Sequence, residues 1–380
     1  MKRISFCLLL GMVLALVAGC GKTAPAGNAA KAGNAVKADP AMLEQANSNI
    51  QTRYAQMAFD DTYMYFSSGD HVYRCGYDGS DVTAVFDRYL HNLVVADGKL
   101  WGNYTTGNPE EKTGLYCIDL ATGAATLEVE TSGTDDHVTS VLISGDWMVY
   151  VAKNGMELVV RNLSTGEEKT ICTWSEEENT TEDIAMCLYG NTLYVQYYTD
   201  PSEYRYAVCT YELGSNADTL TELGTYSYSD SPRTLVWMED GFLTASSPSS
   251  GEGELIFYLA KFSDIQDGKL SYRKEENQIG VALANSHDRS VYNMITDNYN
   301  TSRYVLGNNI LFLGYSKVYY YKDFDLTNEQ MLVELDGVND KPNGVHNGSL
   351  YIFDYGWEAQ FVKISEDGTV EYIPVTMPEE

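Results

Sequence analysis

The chain has 380 residues, 44% of them hydrophobic and 12% aromatic, and its 54 Asp and Glu against 25 Lys and Arg give a formal net charge of −29 at pH 7. That length and apolar content suffice for a sizeable core, while the acidity repels phosphate backbones and excludes nucleic acid as a partner. Seven cysteines in so long a chain are too sparse for a disulfide framework.

Residues 1–19 read as a secretory leader. Lys2 and Arg3 supply the basic start, residues 4–17 an apolar run too short for a permanent membrane span, and Ala18 and Gly19 the small residues of a cleavage site. The order Leu16-Val17-Ala18-Gly19-Cys20 resembles the bacterial lipobox, whose cysteine is acylated and becomes the new N-terminus. The resemblance implies lipidation of Cys20, an extracytoplasmic location, and the lipid bilayer as a partner. Two or three acyl chains, at about 0.8 kcal/mol per buried CH2, hold a protein on a membrane where one chain is marginal.

Residues 20–50 read as a tether. From Gly21 onward the composition is Ala, Gly, Asn and Lys, with Gly27, Gly33 and Pro40 interrupting any helix. As a coil, this stretch has a root-mean-square reach of about 30 Å. Lys22, Lys31 and Lys37 all precede Asp39, the first acid of the mature chain, so the remainder is strongly acidic. Beyond Cys20 the cysteines are Cys75, Cys117, Cys172, Cys187 and Cys209, an odd number with no CxxC spacing. His71 and Cys75 are the one close Cys/His pair, so no metal site is expected and the thiols are assigned to strand packing.

Residues 51–380 are expected to form an all-β domain of repeated four-strand units. The second strand of the unit recurs as YMYF (63–66), LWGNY (100–104), WMVYV (147–151), LYVQYY (193–198), FLTAS (242–246), ILFLG (310–314) and LYIFDY (350–355). A turn pair precedes each, among them Asp97-Gly98, Gly145-Asp146, Gly190-Asn191 and Asn347-Gly348, the chemistry of a hairpin tip. Seven copies at a period of about 46 residues predict a seven-bladed β-propeller, with six or eight blades as alternatives. No helix-period stretch of useful length separates the strands.

The first unit, YMYFSSGDHVYRCGYDGSDVTAVF (63–86), resembles the repeats of YWTD-type propellers and of bacterial lipoproteins with DUF5050-like domains, and Tyr197-Tyr198-Thr199-Asp200 is a near match to the same motif. The resemblance implies the propeller fold and a surface-exposed binding or scaffold domain. It implies no activity.

Tight turns join strands one to two and most of strands three to four, whereas the other two kinds of connection vary in length and emerge on the opposite face of a propeller. The variable set includes residues 105–113, 131–137, 175–183, 199–203, 247–253 and 275–301. It is acidic, with Glu110-Glu111, Glu176-Glu177-Glu178 and Glu182-Asp183. A solvated rim and a Ca2+ site are the two readings of that acidity, and no calcium-loop motif accompanies it. Most of the 30 tyrosines fall on strands, where sheets favour aromatics. Those in loops are the candidate ligand contacts: Tyr204, Tyr292, Tyr299 and Trp357, joined by His287, Arg289, Glu177 and Asp183.

No nucleophile elbow, zinc-protease helix or phosphate loop is present, and no catalytic residue is assigned. The expected function is a membrane-anchored binding or scaffold domain for a protein or cell-envelope ligand. The alternative is a carbohydrate-binding, lyase-like or glycosidase-like surface propeller, for which two facing carboxylates over an aromatic floor would be the signature.

Overall fold

The computed structural model describes residues 57–378 apart from 109, 132–137, 139, 153–155, 175–183, 201–204, 228–235, 239–240, 247–252, 274, 285–301, 314–315, 325–328, 336–340 and 356–357. No α-helix occurs among the described residues. The fold is an all-β propeller built of small antiparallel sheets.

The first sheet contains β1 (Ala58–Phe59), β2 (Tyr63–Ser68), β3 (His71–Gly76) and β4 (Thr83–Phe86), in that order from edge to edge. The second contains β5 (His91–Ala96), β6 (Lys99–Tyr104), β7 (Thr113–Asp119) and β8 (Ala125–Thr131). The third contains β9 (Val141–Ser144), β10 (Trp147–Ala152), β11 (Glu157–Asn162) and β12 (Glu168–Thr173). The fourth begins with β13 (Ala185–Tyr189), β14 (Thr192–Asp200), β15 (Arg205–Glu212) and β16 (Thr221–Ser227). In the fifth, β17 (Val236–Met238), β18 (Gly241–Ser246) and β19 (Gly253–Lys261) are completed by β22 (Gln278–Ala284). The sixth holds β23 (Ser302–Leu306), β24 (Asn309–Leu313), β25 (Lys317–Tyr321) and β26 (Gln330–Glu334). The last holds β27 (Asn343–His346), β28 (Ser349–Asp354), β29 (Gln360–Ser365) and β30 (Val370–Pro374).

Six of these sheets are four-stranded, one fewer than the seven regular units expected, because the fourth has six strands. Between β19 and β22 the chain makes a short hairpin, β20 (Ile265–Gln266) and β21 (Lys269–Leu270), which turns on Asp267 and Gly268, both at positive φ. β21 lies parallel to β16, so an excursion from the fifth sheet widens its neighbour. This corrects the reading of 275–301 as one long loop. Residues 278–284 are the fourth strand β22, and the apolar run Ile279 to Ala284 is what pairs with β19.

Burial follows the strand order. β2 and β28 are almost wholly buried, whereas β4, β8 and β30 are mostly half-exposed or exposed. A strand covered on both faces needs no polar alternation, which is why the second strands read as continuous apolar runs. First strands of successive sheets touch one another, β1 with β5, β5 with β9, β9 with β13 and β17 with β23, forming the inner ring. Side chains between sheets supply the cores. Tyr65, Val72, Leu100 and Ile118 fill the first seam, and Trp101, Leu115, Met148 and Val159 the second.

Ring closure uses side chains rather than a shared strand. Phe66 of β2 packs against Phe353 of β28 and edge-on against Phe361 of β29, with Met64, Cys75 and Ile373 around them. One backbone bond joins the inner strands there, Met57 N donating to Asn343 O at 2.8 Å.

Candidate functional site

The alternating strand directions divide the connections into two sets. At one end lie the turns between first and second strands and between third and fourth, and this end is tied down by bonds that repeat from sheet to sheet. Leu120 N donates to Gly98 O at 3.0 Å, Leu163 N to Asp146 O at 2.7 Å, and Leu213 N to Asn191 O at 2.8 Å. Each leucine stands just past its third strand, so in the second, third and fourth sheets one apolar residue ties that strand's end to the first turn. Acids at this end serve the turns. Asp119 accepts from Ala121 N, Thr122 N and the Thr122 hydroxyl, and Asn162 does the same for Ser164 N and Thr165 N. Hydrogen bonds from Ser80, Thr122 and Thr369 hold the carboxyls of Asp78, Asp119 and Asp367 below their ordinary value.

At the opposite end the described polar groups differ from sheet to sheet in their partners. The fullest described constellation is in the second sheet, where the segment leading into β5 meets the loop between β6 and β7. Arg88 donates from Nη1 to Tyr116 Oη at 2.8 Å, and its guanidinium lies 5.0 Å from the Tyr104 ring centre and 5.5 Å from that of Tyr116. Tyr116 in turn donates to Lys112 O at 3.1 Å. Tyr104 Oη donates to Glu111 Oε2 at 2.5 Å, and Asn108 Nδ2 to Glu111 Oε1 at 2.9 Å. Those bonds hold the Glu111 carboxyl below its usual range and, from the other side, push the Tyr104 phenol up. Tyr89 packs edge-on against His91, 4.9 Å between centroids. Arg88, Tyr89, His91, Tyr104 and Glu111 are all half-buried, so the cluster is fixed yet reachable from solvent.

Below it the backbone is bent. His91 pairs with Asn103 and Val94 with Trp101, leaving Asn92 and Leu93 opposite the single residue Gly102. Asn92 takes φ 53° in this bulge. A Cβ on Gly102 would lie 2.8 Å from Leu90 Cβ and 2.9 Å from Leu93 Cδ2, so glycine is what lets the bulge seat. The fifth residue of the second strand is polar and buried in three sheets, as Ser67, Asn103 and Gln196. Ser67 Oγ donates to Leu90 O at 2.6 Å, whereas Asn103 Oδ1 and Gln196 Oε1 have no hydrogen-bond partner.

A second polar group lies between the sixth and seventh sheets. Lys341 and Asp354, each about 5% exposed in its side chain, form an ion pair. Asn343 Nδ2 donates to Lys341 O at 2.8 Å, and Tyr304 Oη donates to Asn343 Oδ1. This group crosslinks the sixth and seventh sheets beside the closing bond to Met57.

Every loop residue singled out from sequence, Tyr204, Tyr292, Tyr299, Trp357, His287, Arg289, Glu177 and Asp183, lies outside the described residues, as does Cys20. Sequence reasoning flagged Glu110-Glu111 and the 105–113 loop, but passed over Arg88, Tyr104 and Tyr116. The last two sit on strands, where an aromatic ring looks like packing. The signal available was Arg88, a lone cation in the connection leading into β5. Cys75, Cys117, Cys187 and Cys209 are buried, and Cys172 is half-buried. Among the described residues no group of three His, Cys, Asp or Glu is placed to hold a metal ion, and no helix is long and apolar enough to cross a membrane.

No protein-family model matches the chain, and no curated protein matches it. Solved structures do. A prolyl endopeptidase chain is similar over 90% of this chain and 53% of its own, at 11% identity and a TM-score of 0.52. A 6-phosphogluconolactonase candidate from Bacteroides fragilis is similar over 86% and 95%, at 14% identity and 0.49. The N-terminal domain of Nup159 is similar over 81% and 89%, at 11% identity and 0.47. At such identities the likeness concerns the fold alone, and the match to the prolyl endopeptidase reaches only about half of that longer chain.

Proposed function

We propose that this chain is an extracytoplasmic lipoprotein, anchored through acylated Cys20, whose propeller binds a protein or cell-envelope ligand on its variable-loop end. In this reading the six-stranded sheet is an enlarged blade and the propeller has seven. The observation that carries the binding role is the contrast between the two ends. One is spent on turn bonds that repeat in three sheets, and the other holds, among the described residues, the half-buried Arg88, Tyr104 and Glu111 packed with Tyr116. A rigid scaffold with one individual cluster among its loops is the usual arrangement of a binding protein.

The test is a thermal-shift titration of the chain with wall-derived glycans, Ca2+ and candidate envelope proteins, run beside Arg88→Ala. A ligand at about 100-fold above its Kd adds about 2.7 kcal/mol to the folded state. A shift that Arg88→Ala abolishes supports the reading, and a shift it leaves untouched moves the site elsewhere. Fractionation of the Cys20→Ala variant tests the anchor separately, with release from the membrane expected.

A further inference from the structure

Arg88 is held by neutral groups. Its Nη1 donates to Tyr116 Oη at 2.8 Å, and because Tyr116 gives its own proton to Lys112 O, that hydroxyl is left to accept from the guanidinium. The Tyr104 and Tyr116 rings lie against it. Among the described residues no carboxylate forms an ion pair with Arg88. Other bases of this acidic chain are treated differently: Arg161 lies 2.8 Å from Glu128 and 3.6 Å from Glu168, and Lys112 lies 2.8 Å from Glu130. Glu111 shares the Tyr104 ring with Arg88 but is turned to other donors, Oε2 accepting from Tyr104 Oη and Oε1 from Asn108 Nδ2. Those bonds, with the Arg88 charge adding to them, keep its carboxyl ionised at neutral pH. Most of the guanidinium donors and half of the carboxylate acceptor sites are left over, and both residues are reachable from solvent.

The two opposite charges thus stand on one ring, the guanidinium over its face and the carboxylate at its hydroxyl, without pairing with each other. A ligand bridges them when it carries the complementary charges side by side. The geometry points to this cluster as a binding site for a free amino acid, with its carboxylate on the Arg88 fork and its ammonium on Glu111. The inference rests on the proposed binding role of the variable-loop end. A planar guanidinium takes a carboxylate by two parallel bonds, so Arg88 orients the ligand as well as attracting it. Glu111 supplies the discrimination. With Asp87 and Glu110 exposed in the same two connections, it opposes a ligand of net negative charge and admits one whose ammonium offsets its carboxylate. An arginine placed only to fasten the loop would gain more from pairing with Glu111 than from the neutral hydroxyl it uses.

The test is saturation-transfer NMR on the full chain with a mixture of free amino acids, repeated with their N-acetyl and carboxamide forms and with inorganic phosphate. Transfer to one or more free amino acids is expected. Affinity for the best of them should fall about ten- to a hundredfold in Arg88→Gln, and by a similar factor when either of its own charges is blocked. Glu111→Gln keeps an oxygen for Tyr104 and should weaken the free amino acid while sparing its N-acetyl form, a split that a merely structural role would not produce. Arg88→Lys, which keeps the charge and loses the fork, should bind more weakly than the unsubstituted chain and serves if Arg88→Gln fails to fold. No transfer to any amino acid, binding that survives Arg88→Gln, equal binding of the carboxamides, or preference for phosphate each overturns the inference. A glycan or envelope protein whose thermal shift depends on Arg88, with no amino acid bound, overturns this ligand class and leaves the proposed binding role standing.

Discussion

Phe66 and Phe353 lie 4.4 Å apart, centroid to centroid, although 287 positions separate them in the chain, and their contact closes the first sheet onto the last. Both side chains are fully buried. Among the described residues, such packing and the backbone bond from Met57 N to Asn343 O join the two ends of the ring at this seam. Phe66→Ala is therefore expected to cost about 3–5 kcal/mol, read as a fall in the urea midpoint. Tyr372→Ala, on the exposed outer strand at 55% exposure, is the control and should stay within about 0.5 kcal/mol.

The bulge under the Arg88 cluster gives a second expectation. Gly102→Ala places a methyl against Leu90 and Leu93 and should destabilise by about 1–3 kcal/mol. Gly107→Ala, with open space around it, should be nearly neutral. Similar melting temperatures for the two variants would mean that the bulge is more compliant than its contacts indicate.

Lys341 and Asp354 are buried as a pair, so losing one partner strands the other charge. Lys341→Met alone is expected to cost about 3–5 kcal/mol, with Lys341→Met/Asp354→Leu recovering most of it. A double-mutant cycle by denaturant unfolding checks this. Additive losses would show that the pair is not coupled.

Burial pushes the Cys75 and Cys209 thiols up to about 12 and that of Cys117 up to about 11. An unfolded thiol ionises near 8.5, so the stability these groups contribute is complete below about pH 8.5 and is lost as pH rises toward their folded values. Asp78, Asp119 and Asp367 behave in the opposite sense. Their folded values are depressed, so their contribution is present above the unfolded value of about 3.9 and is lost as pH falls through the folded ones. Stability should be flat from about pH 5 to 8 and fall on both sides, as measured by urea midpoints across pH. In native protein at pH 8, half-buried Cys172 is expected to react with a thiol reagent ahead of the other four.

Much of the architecture was legible because it is local. A turn pair followed by an apolar strand is a short-range signal, and each of the seven segments such as LWGNY and LYIFDY is indeed the second strand of a separate sheet. The β20–β21 hairpin was not legible, because which sheet edge receives β21 depends on a parallel pairing across 44 residues, from Thr225 to Lys269. The Arg88 cluster was missed for a related reason. Arg88 and Tyr116 are distant in sequence, and only the folding of two connections onto one end of a sheet brings them within a hydrogen bond. Candidates chosen because they stood in long loops came from the segments about which local pattern says least.

Except at the fourth and fifth, every sheet is drawn from one uninterrupted stretch of chain. In genetic terms each such sheet is a cassette: duplicating or deleting about 46 codons adds or removes a complete unit without orphaning a strand in another. The fourth and fifth sheets are exempt, since a codon run belonging to the fifth supplies the edge of the fourth. Those two are heritable only as a pair, and lineages that vary in unit number should gain or lose them together.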